Sequence, residues 1–123
     1  MAAVDRRISK TEYAKAIPVL EHILSGPEAS DRERSIGYNL KGLSLYMFGR
    51  IVEAIADFST SLKIQDDARI ANRLRWKTVF NRGIAYEAVK DLNRAADDFV
   101  RAYAMAANER RVKAKIFNFF NKE

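Results

Sequence analysis

The chain has no cysteine, one histidine, two prolines and five glycines among its 123 residues. Without cysteine there is no disulfide, no thiolate metal ligand and no thiol nucleophile. With His22 as the sole histidine, no site can use two imidazoles. So little glycine and proline leaves too few turn residues for an all-β protein of many strands. No run approaches the ~20 apolar residues of a membrane-spanning helix, and the N-terminus lacks the apolar core of a secretory signal. There is no glycine-rich phosphate loop and no metal-ligand spacing. Asp66-Asp67 and Asp97-Asp98 are acid pairs, but adjacent helical residues point about 100° apart, so neither pair shares one site. Both read as solvated groups. His22 lies beside Glu21, off the apolar stripe of its helix, and reads as a surface group. No enzyme, catalytic residue, cofactor or metal is expected.

What is present is globular material: 48% hydrophobic and 31% charged residues, a composition that folds. The net charge is +6. Residues 1–61 hold eight basic and eight acidic side chains, whereas 62–123 hold fourteen and eight, so the second half carries the whole excess. Arg69, Arg73, Arg75, Lys77 and Arg82 form one acid-free run, and Arg110, Arg111, Lys113 and Lys115 another. Such a field favours anionic partners.

The hydrophobic period is helical throughout, with no two-residue alternation. Ser9-Lys10-Thr11-Glu12 and Ser30-Asp31-Arg32-Glu33 read as capping boxes. The first opens a stripe of Tyr13, Ala16, Ile17, Leu20, Ile23 and Leu24. That helix contains Pro18 and is closed by Ser25-Gly26-Pro27. The second opens a helix with Ile36, Leu40, Leu43 and Met47. Gly49 is placed to end it in the left-handed conformation. Ile51, Val52, Ala54, Ile55, Phe58 and Leu62 follow at once, so the two helices must form an antiparallel hairpin. A long helix is expected from about Arg69 to Val89, then a turn at Lys90-Asp91 with Asp91 as N-cap. Leu92, Ala95, Phe99 and Tyr103 mark the next helix, and Val112, Ile116, Phe119 and Phe120 the last.

Three pairs of positions share one offset. Gly42 and Gly83, Ala54 and Ala95, and Phe58 and Phe99 are each 41 apart. A small residue on each helix of a pair permits close approach, and the phenylalanine fills the space between. Units that cannot bury a face alone must stack on their neighbours.

This pattern resembles the tetratricopeptide repeat (TPR). Gly83, Tyr86, Ala95, Phe99 and Ala102 match its motif. Gly42, Gly49, Ala54, Phe58 and Leu62 also match, with Leu45 where tyrosine is usual. Asp66 and Ala107 stand where a closing proline is common. The resemblance implies an all-α fold of about six helices: antiparallel hairpins stacked as a short right-handed superhelical solenoid. It divides one domain into a half repeat (10–25), a repeat (35–68), an insertion (69–75) that extends the long helix by about two turns, a repeat (76–109) and a capping helix (110–121).

It also implies a non-catalytic protein-interaction module, an adaptor or assembly subunit that takes a partner peptide or helix in a concave groove. The groove positions are then Asn39, Leu43, Tyr46, Met47, Lys77, Phe80, Asn81, Ile84, Arg111 and Lys115, with Ile36, Leu40 and Glu87 beside them. Some family members grip acidic C-terminal tails with a carboxylate clamp. Asn81 falls on one clamp position, and Arg111 and Lys115 on two more with their types exchanged. Asn39 and Leu43 stand where a lysine and an asparagine belong, so half the clamp is missing. Phe117 and Tyr103 are expected as exposed aromatic anchors. A helix starting near Arg69 would align Arg69, Arg73 and Lys77 as a basic ridge. That ridge supports the alternative reading, a subunit of a ribonucleoprotein contacting RNA phosphates. The partner is expected to be protein, an acidic segment included, within a larger assembly, with RNA as the alternative. An intracellular, cytoplasmic location is expected with an organelle left open, because Met1–Arg7 is too short and acidic for a mitochondrial leader.

Overall fold

A computed structural model describes residues 9–121; the reading of residues 1–7 as a poor leader lies outside them. The described residues form six α-helices and no strand. These are α1 (Lys10–Ser25), α2 (Asp31–Met47), α3 (Ile51–Asp67), α4 (Asn72–Ala88), α5 (Leu92–Met105) and α6 (Arg110–Phe120). Each helix packs on the next in sequence, and α2 also touches α4.

Local chemistry sets most boundaries. The Ser30 hydroxyl accepts from the Glu33 amide at 3.1 Å while the Glu33 carboxylate accepts from the Ser30 amide at 2.9 Å. This closed box holds the Glu33 carboxyl below its ordinary range, chiefly through the Ser30 amide. At Ser9 only half of the box forms. Its hydroxyl caps the Glu12 amide at 3.2 Å, and the carboxylate meets the hydroxyl rather than the Ser9 amide. Asp91 caps α5 by accepting from the Arg94 amide.

Three helices end in the same left-handed reversal. Gly49 has φ +93°, Arg69 +55° and Lys90 +65°. In each the next amide reaches back around the terminus: Arg50 to Leu45, Ile70 to Gln65 and Asp91 to Tyr86, at 2.8, 2.8 and 3.0 Å. This doubly bonded closure satisfies carbonyls the helix leaves free. Glycine adopts it without strain, whereas arginine and lysine do so at a cost.

The expected helix from Arg69 is corrected by this geometry. Arg69 is the reversal itself, and α4 begins at Asn72. No two-turn extension is inserted. Instead α2 and α4 have the same length, and their first residues, Asp31 and Asn72, stand at the repeat offset.

The core has two apolar clusters. One gathers Tyr13, Ile17, Leu43, Leu45, Ala54, Phe58 and Ala85; the other gathers Leu62, Trp76, Val79, Phe80, Ala95, Phe99, Ala102 and Val112. Ile84 packs against both. An aromatic ladder binds the last three helices: Trp76–Phe80, Phe80–Phe99 and Phe99–Phe119 have centroids 6.2, 5.8 and 5.1 Å apart. The tilted and edge-on ring geometries are those that ring quadrupoles favour. Between the helices runs a buried polar thread. Ser61 Oγ donates to the Ser35 carbonyl at 2.6 Å, and Gln65 Nε2 donates to Ser61 Oγ and Thr78 Oγ1 at 3.0 and 3.1 Å. It fixes the mutual register of α2, α3 and α4, because slippage would strand buried polar groups.

Candidate protein-interaction surface

The hairpins α2–α3 and α4–α5 are built alike. A Cβ added at Gly42 would sit 2.7 Å from Phe58 Cε1, and one at Gly83 would sit 2.8 Å from Phe99 Cε1. Ala54, Ala95 and Phe99 are 0% exposed and Phe58 1%. The residues flanking these positions extend the correspondence. Lys41 pairs with Asp57 at 3.4 Å, and at the repeat offset Arg82 pairs with Asp98 at 2.8 Å. At the following turn Arg50 pairs with Glu53, and their equivalents Asp91 and Arg94 pair with the charges exchanged.

Arg82 is the more committed of the two hairpin cations. Its Nε and a terminal nitrogen each donate to a different Asp98 oxygen at 2.8 Å, and a third nitrogen donates to Ser59 Oγ at 3.2 Å. Asp98 is 2% exposed. Expected as a solvated acid, it is instead the buried half of a two-pronged ion pair. In the weaker pair, burial pushes the Asp57 carboxyl up, and Lys41 only partly offsets this.

The first helices of the hairpins and α6 are joined side by side. Asn81 Nδ2 donates to Asn39 Oδ1 at 3.2 Å, linking α4 to α2. Lys115 of α6 ion-pairs with Glu87 of α4. Burial, with the nearby Glu87 charge, raises the Tyr46 phenol above its ordinary pKa. Asn39, Tyr46, Asn81, Glu87 and Lys115 thus lie along one seam.

The expected groove residues divide on this structure. Leu43 and Phe80 are 2% and 3% exposed and belong to the core rather than to a groove along α2, α4 and α6. Asn81 is buried, with its Nδ2 engaged by Asn39 and its Oδ1 enclosed without a hydrogen-bond partner. Met47 and Ile84 are half-buried against the core clusters. Asn39 and Tyr46 are partly open, Lys77 is partly open with its ammonium 6.0 Å from the Trp76 ring centroid, and Arg111 is exposed. Lys115 is neutralised by Glu87.

The basic ridge also breaks up. Arg69 and Arg73 are both exposed, but Arg69 lies outside α4, so the three cations do not share one helix. Within the acid-free run, Arg75 pairs with Asp66 and Arg82 with Asp98. Sequence-distant carboxylates therefore consume part of the apparent excess charge. His22 is exposed, as are Phe117 at 74% and Tyr103 at 43%. Among the described residues no three histidine, aspartate or glutamate side chains gather as a metal site. No helix there is long and apolar enough to cross a membrane.

Against family models, curated proteins and solved structures, the chain finds no match.

Proposed function

We propose that the chain is a non-catalytic protein-interaction module of the tetratricopeptide type, an adaptor or assembly subunit whose α2, α4 and α6 face its partner. One observation carries this reading: the same close contact and the same ion pair recur at an offset of 41. Helical hairpins repeated in this way stack into a solenoid, and solenoids work by their extended surfaces. On this reading the partner surface along α2, α4 and α6 comprises Asn39, Tyr46, Lys77 and Arg111, which are open to solvent in part or whole, while Glu87 and Lys115 pair with each other. Its exposed charge at the α6 end is basic, so an acidic peptide or helix is the complementary partner.

The test is affinity purification of the full chain with mass spectrometry, with and without nuclease, alongside a Tyr46→Ala/Lys77→Glu variant of unchanged helical circular dichroism. A protein that is retained at about 0.5 M salt, survives nuclease and is lost by the variant is the expected result. Retention of RNA alone, falling steeply with salt, would replace this reading with the ribonucleoprotein one.

A further inference from the structure

Both ends of the helix stack lack a covering helix among the described residues, and the two deficits are complementary. On α1, Ala16 and Leu20 have the spacing of Ala54 and Phe58 on α3 and of Ala95 and Phe99 on α5. The latter two pairs are sealed by α2 and α4, whose glycines lie against the phenylalanine rings. No helix among the described residues seals the first pair. An apolar cleft of about 490 Å³ opens there, lined by Tyr13, Ala16, Val19, Leu20, Leu40 and Leu43. Val19 is 59% exposed and Leu40 42%.

At the other end α6 lies on α5 as α4 lies on α3. Val112 and Thr78 are both 0% exposed against the preceding helix. The step from Thr78 to Val112 also carries Gly83, which faces α5, onto Phe117, and Tyr86 onto Phe120. Phe117 is 74% exposed and Phe120 53%. So α6 has the face that α2 and α4 present to α3 and α5; Phe117 on it is open, while Phe120 also borders an open cavity shared with Tyr86, Asp97 and Arg101. Where α2 and α4 carry a glycine opposite a phenylalanine, α6 carries a phenylalanine, and α1 offers alanine and leucine in place of alanine and phenylalanine. The bulk has changed sides.

We infer that α6 of one copy docks its Phe117/Phe120 face into the α1 cleft of a second copy, completing in trans the hairpin that α2–α3 and α4–α5 form within the chain. Charge disfavours the symmetric pairing of two α6 faces. Two α6 helices would bring together Arg110, Arg111, Lys113 and Lys115 from each copy, with no acid among them. Helix α1 sets Glu12 and Glu21 against Lys10 and Lys15, and Glu12 and Lys15 both line the cleft, so this side adds no net repulsion toward α6. A contact between unlike faces does not close on itself as a two-fold dimer. It propagates to a chain or a ring.

The inference uses the repeat register of the proposed function but none of its α2–α4–α6 partner surface, so either can fail alone. Sedimentation velocity on the full chain between about 1 µM and 1 mM covers the range of weak association. The weight-average mass should rise above 14.0 kDa with concentration and persist at about 1 M salt, where surface charge is screened. Val19→Asp and Phe117→Asp, both at exposed positions, should each remain monomeric with unchanged thermal unfolding. Mixed, they should form a dimer of twice 14.0 kDa and nothing larger, because each retains the face the other has lost. Leu40→Asp, on the α2 side of the cleft, should behave like Val19→Asp if the latter disturbs α1. A wild-type chain that stays monomeric throughout overturns the inference, whether residues 1–8 or another protein covers the cleft. Self-association by either single variant overturns it too, since it would mean a symmetric contact. So would dissociation by salt.

Discussion

Gly42→Ala is the most direct probe of the repeated hairpin. The new methyl would stand 2.7 and 2.8 Å from Cε1 and Cδ1 of Phe58, where carbon pairs rest at about 3.5–4.0 Å. The ring is 1% exposed and fixed between helices, so it has no free space to enter. Overpacking of this kind costs about 1–3 kcal/mol, and the rigid neighbour places it near the top. Replacing a mid-helix glycine by alanine returns about 1 kcal/mol. The net loss should be about 2 kcal/mol, read as a lower urea midpoint at 222 nm with an unchanged slope. Gly83→Ala meets Phe99 at 2.8 and 2.9 Å and should lose the same amount. Pairing each alanine with Phe→Leu at its own partner should recover at least about 1 kcal/mol relative to additivity, the size of coupling expected for residues in contact. Gly42→Ala with Phe99→Leu should be additive, because those sites belong to different hairpins. A neutral or stabilising Gly42→Ala, or equal coupling in the crossed pair, would refute the close-approach account of both hairpins.

The ion pairs at the same offset should differ in worth. Asp98→Ala breaks two 2.8 Å bonds and strands an Arg82 side chain that is 16% exposed, so it should cost about 3 kcal/mol. Asp57, whose charged form burial already disfavours, makes one 3.4 Å contact to an equally enclosed Lys41, so Asp57→Ala should cost roughly half as much; equal losses in urea titrations would contradict this. Lys90→Gly removes left-handed strain of about 1–2 kcal/mol and gives part of it back as unfolded-chain entropy, so a small rise in melting temperature is expected, against a fall for Gly49→Ala. Glu33 titrates below its usual 4.5 in the folded chain, so its box stabilises α2 above that pH and loses its effect as pH falls through the folded value. An NMR titration should find Glu33 ionising at lower pH than in Ser30→Ala, and identical curves would count against the box.

How much of this is legible in sequence depends on distance along the chain. Caps and reversals built from residues within five positions are readable where the residue type advertises them, as at Ser30, Gly49 and Asp91. The reversal at Arg69 is not. No glycine or proline marks it, and Arg69-Ile70-Ala71-Asn72-Arg73 reads as continuous helix. What ends α3 there is tertiary. Gln65 is held by Thr78 of α4, Asp66 pairs with Arg75, and the Ile70 amide closes on the Gln65 carbonyl. A propensity of a few tenths of a kcal/mol per residue cannot resist such packing. Lys90 falls in an expected turn, but no residue type signals its left-handed backbone.

The site shows the same division from the other side. The offset of 41 is visible in three apolar pairs, yet its charged neighbours are easily passed over. Lys41 precedes Gly42 as Arg82 precedes Gly83, and Asp57 precedes Phe58 as Asp98 precedes Phe99. Carrying the comparison one residue outward points Asp98 toward Arg82 rather than water. Each acid sits one position before a buried phenylalanine, about 100° round the helix, at the flank of the packed face where the cation before the neighbouring helix's glycine reaches it. The polar partner is then obligatory, since an unpaired buried carboxylate is too costly to keep. Packing separates Leu43 and Phe80 from the proposed partner surface. Leu43 is closed within the cluster around Phe58, and Phe80 within the ring ladder from Trp76 to Phe99, whereas Asn39, at the position equivalent to Phe80, stays partly open. The open positions are Asn39, Tyr46, Lys77 and Arg111, and the proposed partner surface is confined to them.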